Sequence, residues 1–202
     1  MEIIHCLLDE SNAMTVRGAS LGARVAATGK AHLWSERAGN NVDTVVIHYT
    51  SAVNLAPDDP FSRERILGIF CDYGVSSHYL IERDGATLLL VPEGMKAWHA
   101  GGSIMPSGDD RTGVNEFSIG IELAATATSG FTEKQCDSLI RLCLDMEQRY
   151  VRTFVYVGHE DIAGARAVTR GLRTDIKVDP GALFDWSNFR MRLEKGRQGA
   201  SA

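Results

Sequence analysis

The sequence predicts a mixed α/β fold: a single central mixed β-sheet of about five strands flanked by helices. Three observations carry that expectation. Strand-like and helix-like patterns alternate along the chain. Val42–Thr50 (VDTVVIHYT) is nearly all apolar and β-branched, as in a strand buried on both faces of a sheet. Thr132-Glu133-Lys134-Gln135 reads as a capping box opening an amphipathic helix. At 202 residues there is room for one domain and a core that needs no covalent staples.

Residues 1–40 carry scattered Gly, Ala and charge with weak periodicity, and are expected to form an N-terminal extension of uncertain order. A domain over 41–195 follows, then a frayed tail at 196–202. After the Val42–Thr50 strand, Asn54–Pro60 reads as a loop. Ser62–Tyr73 places apolar residues at 66, 69, 70 and 73, the spacing of one helix face, with Gly74 as its C-cap. His78–Glu82 and Ala86–Val91 are strand-like runs joined by Arg83-Asp84-Gly85, a hairpin signal. Trp98–Pro106 and Gly108–Asn115 read as loops, and Phe117–Leu123 alternates as a strand. The helix after Thr132 has its apolar stripe at 136, 139, 140, 143, 144 and 150, which makes Cys136 and Cys143 core residues. Phe154–Val157 is a short strand, Ile162–Ile176 lacks firm periodicity, and Asp185–Lys195 forms a last helix.

Composition narrows the function. Hydrophobic residues are 44% and charged residues 23%, which excludes disorder, collagen, coiled coil and a multi-pass membrane protein. A net charge of −5 disfavours nucleic acid and anionic lipid as partners. The four cysteines form no CxxC pair and are expected to be free thiols in a reducing compartment. Met1–Leu8 lacks the basic start and long apolar run of a signal peptide, so a cytoplasmic location is expected, or delivery outside without a cleaved signal.

Three residues draw attention as chemistry. His48 lies at the carboxyl end of the first strong strand, His159 directly follows another, and Asp179 sits in the turn Val178-Asp179-Pro180-Gly181. Carboxyl ends of strands are where ligand sites form in open α/β sheets. Two imidazoles and a carboxylate make a zinc set with one position left open, as in catalytic centres. By spacing alone the plainer alternative, a satisfied core histidine at each strand end, stays open.

Six motifs then follow in order: Ile47-His48-Tyr49-Thr50; Ser77-His78-Tyr79-Leu80-Ile81 with Asp84-Gly85; Ala97-Trp98-His99-Ala100-Gly101; Asn115-Glu116-Phe117-Ser118-Ile119-Gly120-Ile121-Glu122-Leu123; Gly158-His159-Glu160-Asp161-Ile162-Ala163; and Lys177-Val178-Asp179-Pro180-Gly181. Together, over about residues 42–190, they resemble the zinc-dependent N-acetylmuramoyl-L-alanine amidases of the type-2 (AmpD-like) family, relatives of the peptidoglycan recognition proteins. The resemblance implies that fold for 41–195. It also implies hydrolysis of the amide between the lactyl group of N-acetylmuramic acid and the first L-alanine of the stem peptide. The partners would be muropeptides or the sacculus, with one Zn2+ per chain held by His48, His159 and Asp179. By the same resemblance Glu122 is the acid/base and Lys177 stabilises the oxyanion. His78 and His99, alternative ligands by residue type, fall in segments that the family uses for the cleft wall; Trp98 and His99 are expected either to face substrate or to pack as a core pair, and Tyr49 to pack or orient the site.

Without the resemblance, Glu122 would read as a solvent-facing strand residue and Lys177 as surface. Glu160 and Asp161 are either partners of a ligand imidazole or a polar helix start. Nineteen residues separate His159 from Asp179, more than the family usually has. The extra Gly164–Thr174, with Arg166, Arg170 and Arg173, is either an inert insertion or a lid gripping an acidic stem peptide. Ile176 stands where recycling amidases often place a second basic residue, which bears on substrate subclass. A non-catalytic peptidoglycan-binding module is the alternative function, but such modules often lose a zinc ligand and this chain keeps the whole set.

Overall fold

The computed structural model describes residues 2–39 and 41–200. In chain order its elements are β1 (Ile4–His5), β2 (Thr15–Val16), β3 (Ala19–Ser20), α1 (Leu21–Ala26), β4 (Trp34–Ser35), β5 (Thr44–Thr50), α2 (Arg63–Tyr73), β6 (Tyr79–Ile81), β7 (Thr87–Leu89) and β8 (Lys96–Ala97). They continue with β9 (Ser118–Ala124), α3 (Glu133–Tyr150), β10 (Val155–Gly158), α4 (His159–Ile162), α5 (Ala165–Thr169) and α6 (Trp186–Ala200). The main sheet has six strands in the order β1-β7-β6-β9-β5-β10, all pairs parallel except the β6–β7 hairpin. The five strands read from the sequence are present within a residue or two at each end; β1 is the sixth.

Alternation along the strands sorts their side chains onto two faces. Val45, Ile47, Ile119, Ile121 and Leu123 point to a core closed by α3 and α6, through Leu139, Leu142, Met146, Phe189 and Leu193. On the opposite face Leu80 and Leu88 meet α1 and α2 through Leu21, Val25, Ile66, Leu67 and Phe70. Val46 also leaves the α3 face, packing with Val157 and Ile162. His48, two residues on, shares the direction of Val46, so it sits on the face that α3 does not cover.

The helix ends follow local chemistry. Gly74 closes α2 with φ 63°. The α3 capping box is complete: Gln135 N–H donates to Thr132 Oγ1 at 3.1 Å and Thr132 N–H to Gln135 Oε1 at 3.0 Å. Cys143 is buried, but Cys136, two turns earlier at the rim of the α3–α6 contact, is only partly covered. Asp185 Oδ1 accepts from Asn188 N–H and starts α6. α6 runs past residue 196, where a frayed tail is expected, as far as Ala200, and Arg197 pairs with Glu147 of α3 at 2.7 Å; residues 201–202 lie outside the described residues.

Most of residues 1–40 is built into the domain. Cys6 and Leu8 continue the β1–β7 ladder through N–H bonds to Leu89 O and Leu90 O, and Leu8, Val16, Leu21, Val25 and Leu33 are buried. Pairs of two-residue strands leave no periodic pattern, so tertiary pairing and not local propensity forms them. Arg37 ties this segment to the sheet, donating to the carbonyls of Asn115 and Ser118 at 2.8 Å and of Glu93 at 3.1 Å. Replacing Arg37 with Met strands three acceptors, and is expected to cost about 3 kcal/mol and to lower Tm by about 6–12 °C in a thermal melt.

Candidate metal centre and its cleft

Parallel pairing puts His48 of β5 directly beside Glu122 of β9, and Leu80 of β6 on the other side of Glu122. The neighbouring strand β10 pairs Gly158 with Ile47, which delivers His159, the first residue of α4, next to His48. The long loop then returns: Lys177 N–H donates to Ala163 O at 3.1 Å and Glu160 N–H to Asp179 O at 2.9 Å. Gly158 permits this closure, since a Cβ there would come within 2.7 Å of Pro180 Cδ. Asp161 Oδ2 accepts from Gly158 N–H, so Asp161 belongs to the helix start.

The three predicted ligands converge. His48 Nδ1 and His159 Nδ1 lie 3.0 and 3.2 Å from the same oxygen, Asp179 Oδ2, and the donor atoms of the three all fall within 4.8 Å of one another. Both imidazoles are buried, and their ring centroids stand 4.5 Å apart. Burial pushes the His48 imidazole down to about 4, with His159 acting in the same direction, so the ring is neutral at pH 7.

The polarity of these contacts tests whether an ion fits. His159 Nε2 lies 3.3 Å from Ala100 O, and a carbonyl only accepts, so the ring hydrogen is on Nε2 and Nδ1 keeps its lone pair. That lone pair faces an ionised carboxylate oxygen at 3.2 Å. Acceptor against acceptor at such a distance is repulsive unless a proton or a metal ion lies between them, and the clustering of three such donor atoms suits the metal ion. Two imidazoles and one carboxylate are a donor set suited to a divalent ion of borderline softness such as zinc.

Glu122 supplies a second orphan. The residue is partly exposed, but its Oε2 is buried without a hydrogen-bond partner. Burial, reinforced by Asp179 and opposed by Lys177, pushes its carboxyl well above the ordinary range, so it holds a proton more readily than a surface glutamate. Lys177 stands at the mouth, partly exposed, with its Nζ 3.4 Å from Asp175 Oδ2.

A cavity of about 370 Å³ opens over these groups, walled by Tyr49, Phe70, Val75, Trp98, His99 and Arg173 among others. Trp98 is braced from behind by the N-terminal segment: its Nε1–H donates to Ser35 Oγ at 3.1 Å, and Lys30 Nζ lies 5.4 Å from its ring centroid. Tyr49 and Trp98 thus present side chains to the cavity. His99 also lines it, while its ring nitrogens reach His48 and Ser118. His78 is set apart, with Nδ1 accepting from Gly120 N–H and Nε2–H donating to Met95 O, both at 3.0 Å. Of the Arg residues in 164–174, Arg166 bonds Met105 O and Asp110, and Arg173 lies along the cavity wall against Asp175 and Gly102 O.

Burial pushes the His78 imidazole down to about 3. His48, His78 and His99 therefore refuse protons that the unfolded chain takes up below its ordinary value of 6.5, while Glu122 keeps one that the unfolded chain releases above its ordinary value of 4.5, a net difference of two protons. The unfolded state binds more protons in that range, so stability falls as pH falls. In metal-free protein the unfolding free energy is expected to drop by up to about 3 kcal/mol per pH unit between about pH 6 and 4, measurable by denaturant titration in a chelating buffer.

Fold and cluster together define a mixed α/β protein with a prospective ion-binding centre at the carboxyl ends of its strands. The chain belongs to the N-acetylmuramoyl-L-alanine amidase family, whose model matches residues 38–182. It is similar to the 1,6-anhydro-N-acetylmuramyl-L-alanine amidase AmpD of Enterobacter cloacae, 40% identical over 120 residues, which are 59% of this chain and 57% of that protein. The AmpD of Escherichia coli strain K12 is 40% identical over 124 residues, 60% of each chain. The chain thus spans less than two thirds of the length of these curated relatives. Among solved structures, a selenomethionine derivative of AmpD superimposes with a TM-score of 0.65 at 28% identity, covering 96% of this chain and 99% of that one. The E. coli amidase AmiD, in complex with anhydro-N-acetylmuramic acid-L-Ala-D-gamma-Glu-L-Lys, gives a TM-score of 0.58 at 32% identity over 78% of this chain and 60% of that one.

Proposed function

We propose that this protein is a zinc-dependent amidase that hydrolyses the bond between N-acetylmuramic acid and L-alanine in muropeptides, with His48, His159 and Asp179 holding the ion. The convergence of three electron-rich donor atoms beside the unpartnered Glu122 Oε2 carries this reading. Zinc bound there would supply Lewis acidity, making a water nucleophilic at neutral pH and polarising the scissile carbonyl. Glu122, on the strand next to His48, takes the proton from the attacking water and returns it to the departing amine of alanine. Lys177 brings positive charge to the side of the cleft where the carbonyl oxygen gains negative charge. Tyr49 and Trp98 form the walls that orient the sugar and stem peptide, and the buried His48 imidazole carries no second proton that would compete for the ion at pH 7.

The names of the relatives and the ligand of AmiD make 1,6-anhydromuropeptides the first substrate to test. Among the described residues all four cysteines are free, which suits a reducing compartment such as the cytoplasm. No helix among the described residues is long and apolar enough to cross a membrane. The decisive experiment is mass spectrometry of products from anhydromuropeptide and from intact sacculi, with added zinc and with chelator. Free stem peptide released only with zinc supports the proposal. Binding of muropeptide without release at any zinc concentration would replace the amidase by a recognition module.

A further inference from the structure

We propose that His99 and Ser118 are positioning residues that fix which nitrogen of His48 faces the metal centre, through a chain of hydrogen bonds anchored on the carbonyl of Val114. This rests on the reading of His48, His159 and Asp179 as ion ligands. The direction of each bond follows from the one before it. Ser118 Oγ lies 2.7 Å from Val114 O, which only accepts, so the hydroxyl hydrogen is committed there. The same Oγ lies 3.2 Å from His99 Nε2 and is left to accept, so the His99 ring hydrogen is on Nε2. His99 Nδ1 then offers a lone pair to His48 Nε2 at 3.1 Å, which donates. His48 is left with its lone pair on Nδ1, the atom 3.0 Å from Asp179 Oδ2.

The surroundings hold this chain in place. Ser118 is fully buried. The His99 ring lies against bare backbone at Gly120, where a Cβ would approach His99 Cγ to 2.5 Å, so only glycine lets the ring sit there. Asn115 Oδ1 accepts from both His99 N–H and Ala100 N–H, at 3.2 and 2.8 Å. That turn therefore serves both imidazoles: the His99 side chain orients His48, and the Ala100 carbonyl orients His159. Groups of this kind set ligand tautomer and ring orientation in metal sites, and their loss commonly weakens the metal about 10–100-fold.

The test is zinc affinity by chelator competition for the wild type, His99→Phe, Ser118→Ala and the double variant, together with imidazole 15N spectra of the zinc-loaded protein. His99→Phe is expected to weaken zinc by about 10–100-fold, and Ser118→Ala by a smaller factor. The double variant should bind as His99→Phe does, because Ser118 acts through His99; a merely structural pair would add its losses. The wild-type spectrum should show the His48 ring hydrogen on Nε2 in slow exchange, and His99→Phe should make that exchange fast. Unchanged zinc affinity in a folded His99→Phe protein, additive losses, or a His48 hydrogen on Nδ1 would each overturn the relay. Should His99→Phe not fold, Ser118→Ala and the wild-type spectrum decide. A wild type that binds no zinc overturns the ligand reading itself, and the wild-type titration tells that result from failure of the relay.

Discussion

Replacing Glu122 with Gln is expected to lower kcat by about 10²–10⁴-fold while one zinc per chain remains bound. The substitution keeps the size of the side chain and removes only its capacity to carry a proton to and fro. Glu122 is not among the convergent donor atoms, so metal content should not move. Its carboxyl, raised by burial, is also expected to set one limb of the pH–rate profile, and that limb should vanish in the variant. The check is zinc content by elemental analysis alongside steady-state kinetics from about pH 5 to 9. Near-wild-type turnover would remove Glu122 from the proton-transfer role.

The second large effect is expected from His159→Ala, which should lose zinc and hydrolysis together. Removing this ring takes away one of the three donor atoms that converge among the described residues and leaves Ala100 O without its bond, where His48 and Asp179 alone cannot close a catalytic centre. Activity should fall below detection at equimolar zinc, and excess zinc should recover only a small part of it. Paired measurement on Glu122→Gln and His159→Ala separates the two functions: one variant keeps the ion and loses turnover, the other loses both. A His159→Ala protein that keeps full zinc and activity would dissolve the proposed centre.

The candidate site was more legible in the sequence than the architecture around it. Val42–Thr50 and Phe117–Leu123 declare themselves by β-branched and alternating residues, and His48 and Glu122 fall within those runs, so their places at strand ends could be read without coordinates. That they face one another is a matter of register, which no local pattern encodes. Asp179 was found by motif order, but the two backbone bonds that bring it back to His159 arise from the folded loop. The N-terminal segment stayed illegible for a different reason: its strands are two residues long, and two of them, β1 and β4, depend on partners more than fifty residues away. His99 shows the limit most clearly. Residue type offered it as an alternative ligand and the family resemblance placed it in the cleft wall, whereas the hydrogen-bond partners of both ring nitrogens are visible only in three dimensions.

The bracing of Trp98 by Ser35 and Lys30 has a practical corollary for anyone wishing to trim the molecule. The family match begins at residue 38, yet a fragment cut there would strip the greasy underside from α2 and β7, where Leu8, Leu21, Val25 and Leu33 now lie, and would leave the indole unsupported. The smallest autonomous unit therefore reaches upstream of the recognisable motifs, and shortening at that end is a route to aggregation, not to a minimal catalyst.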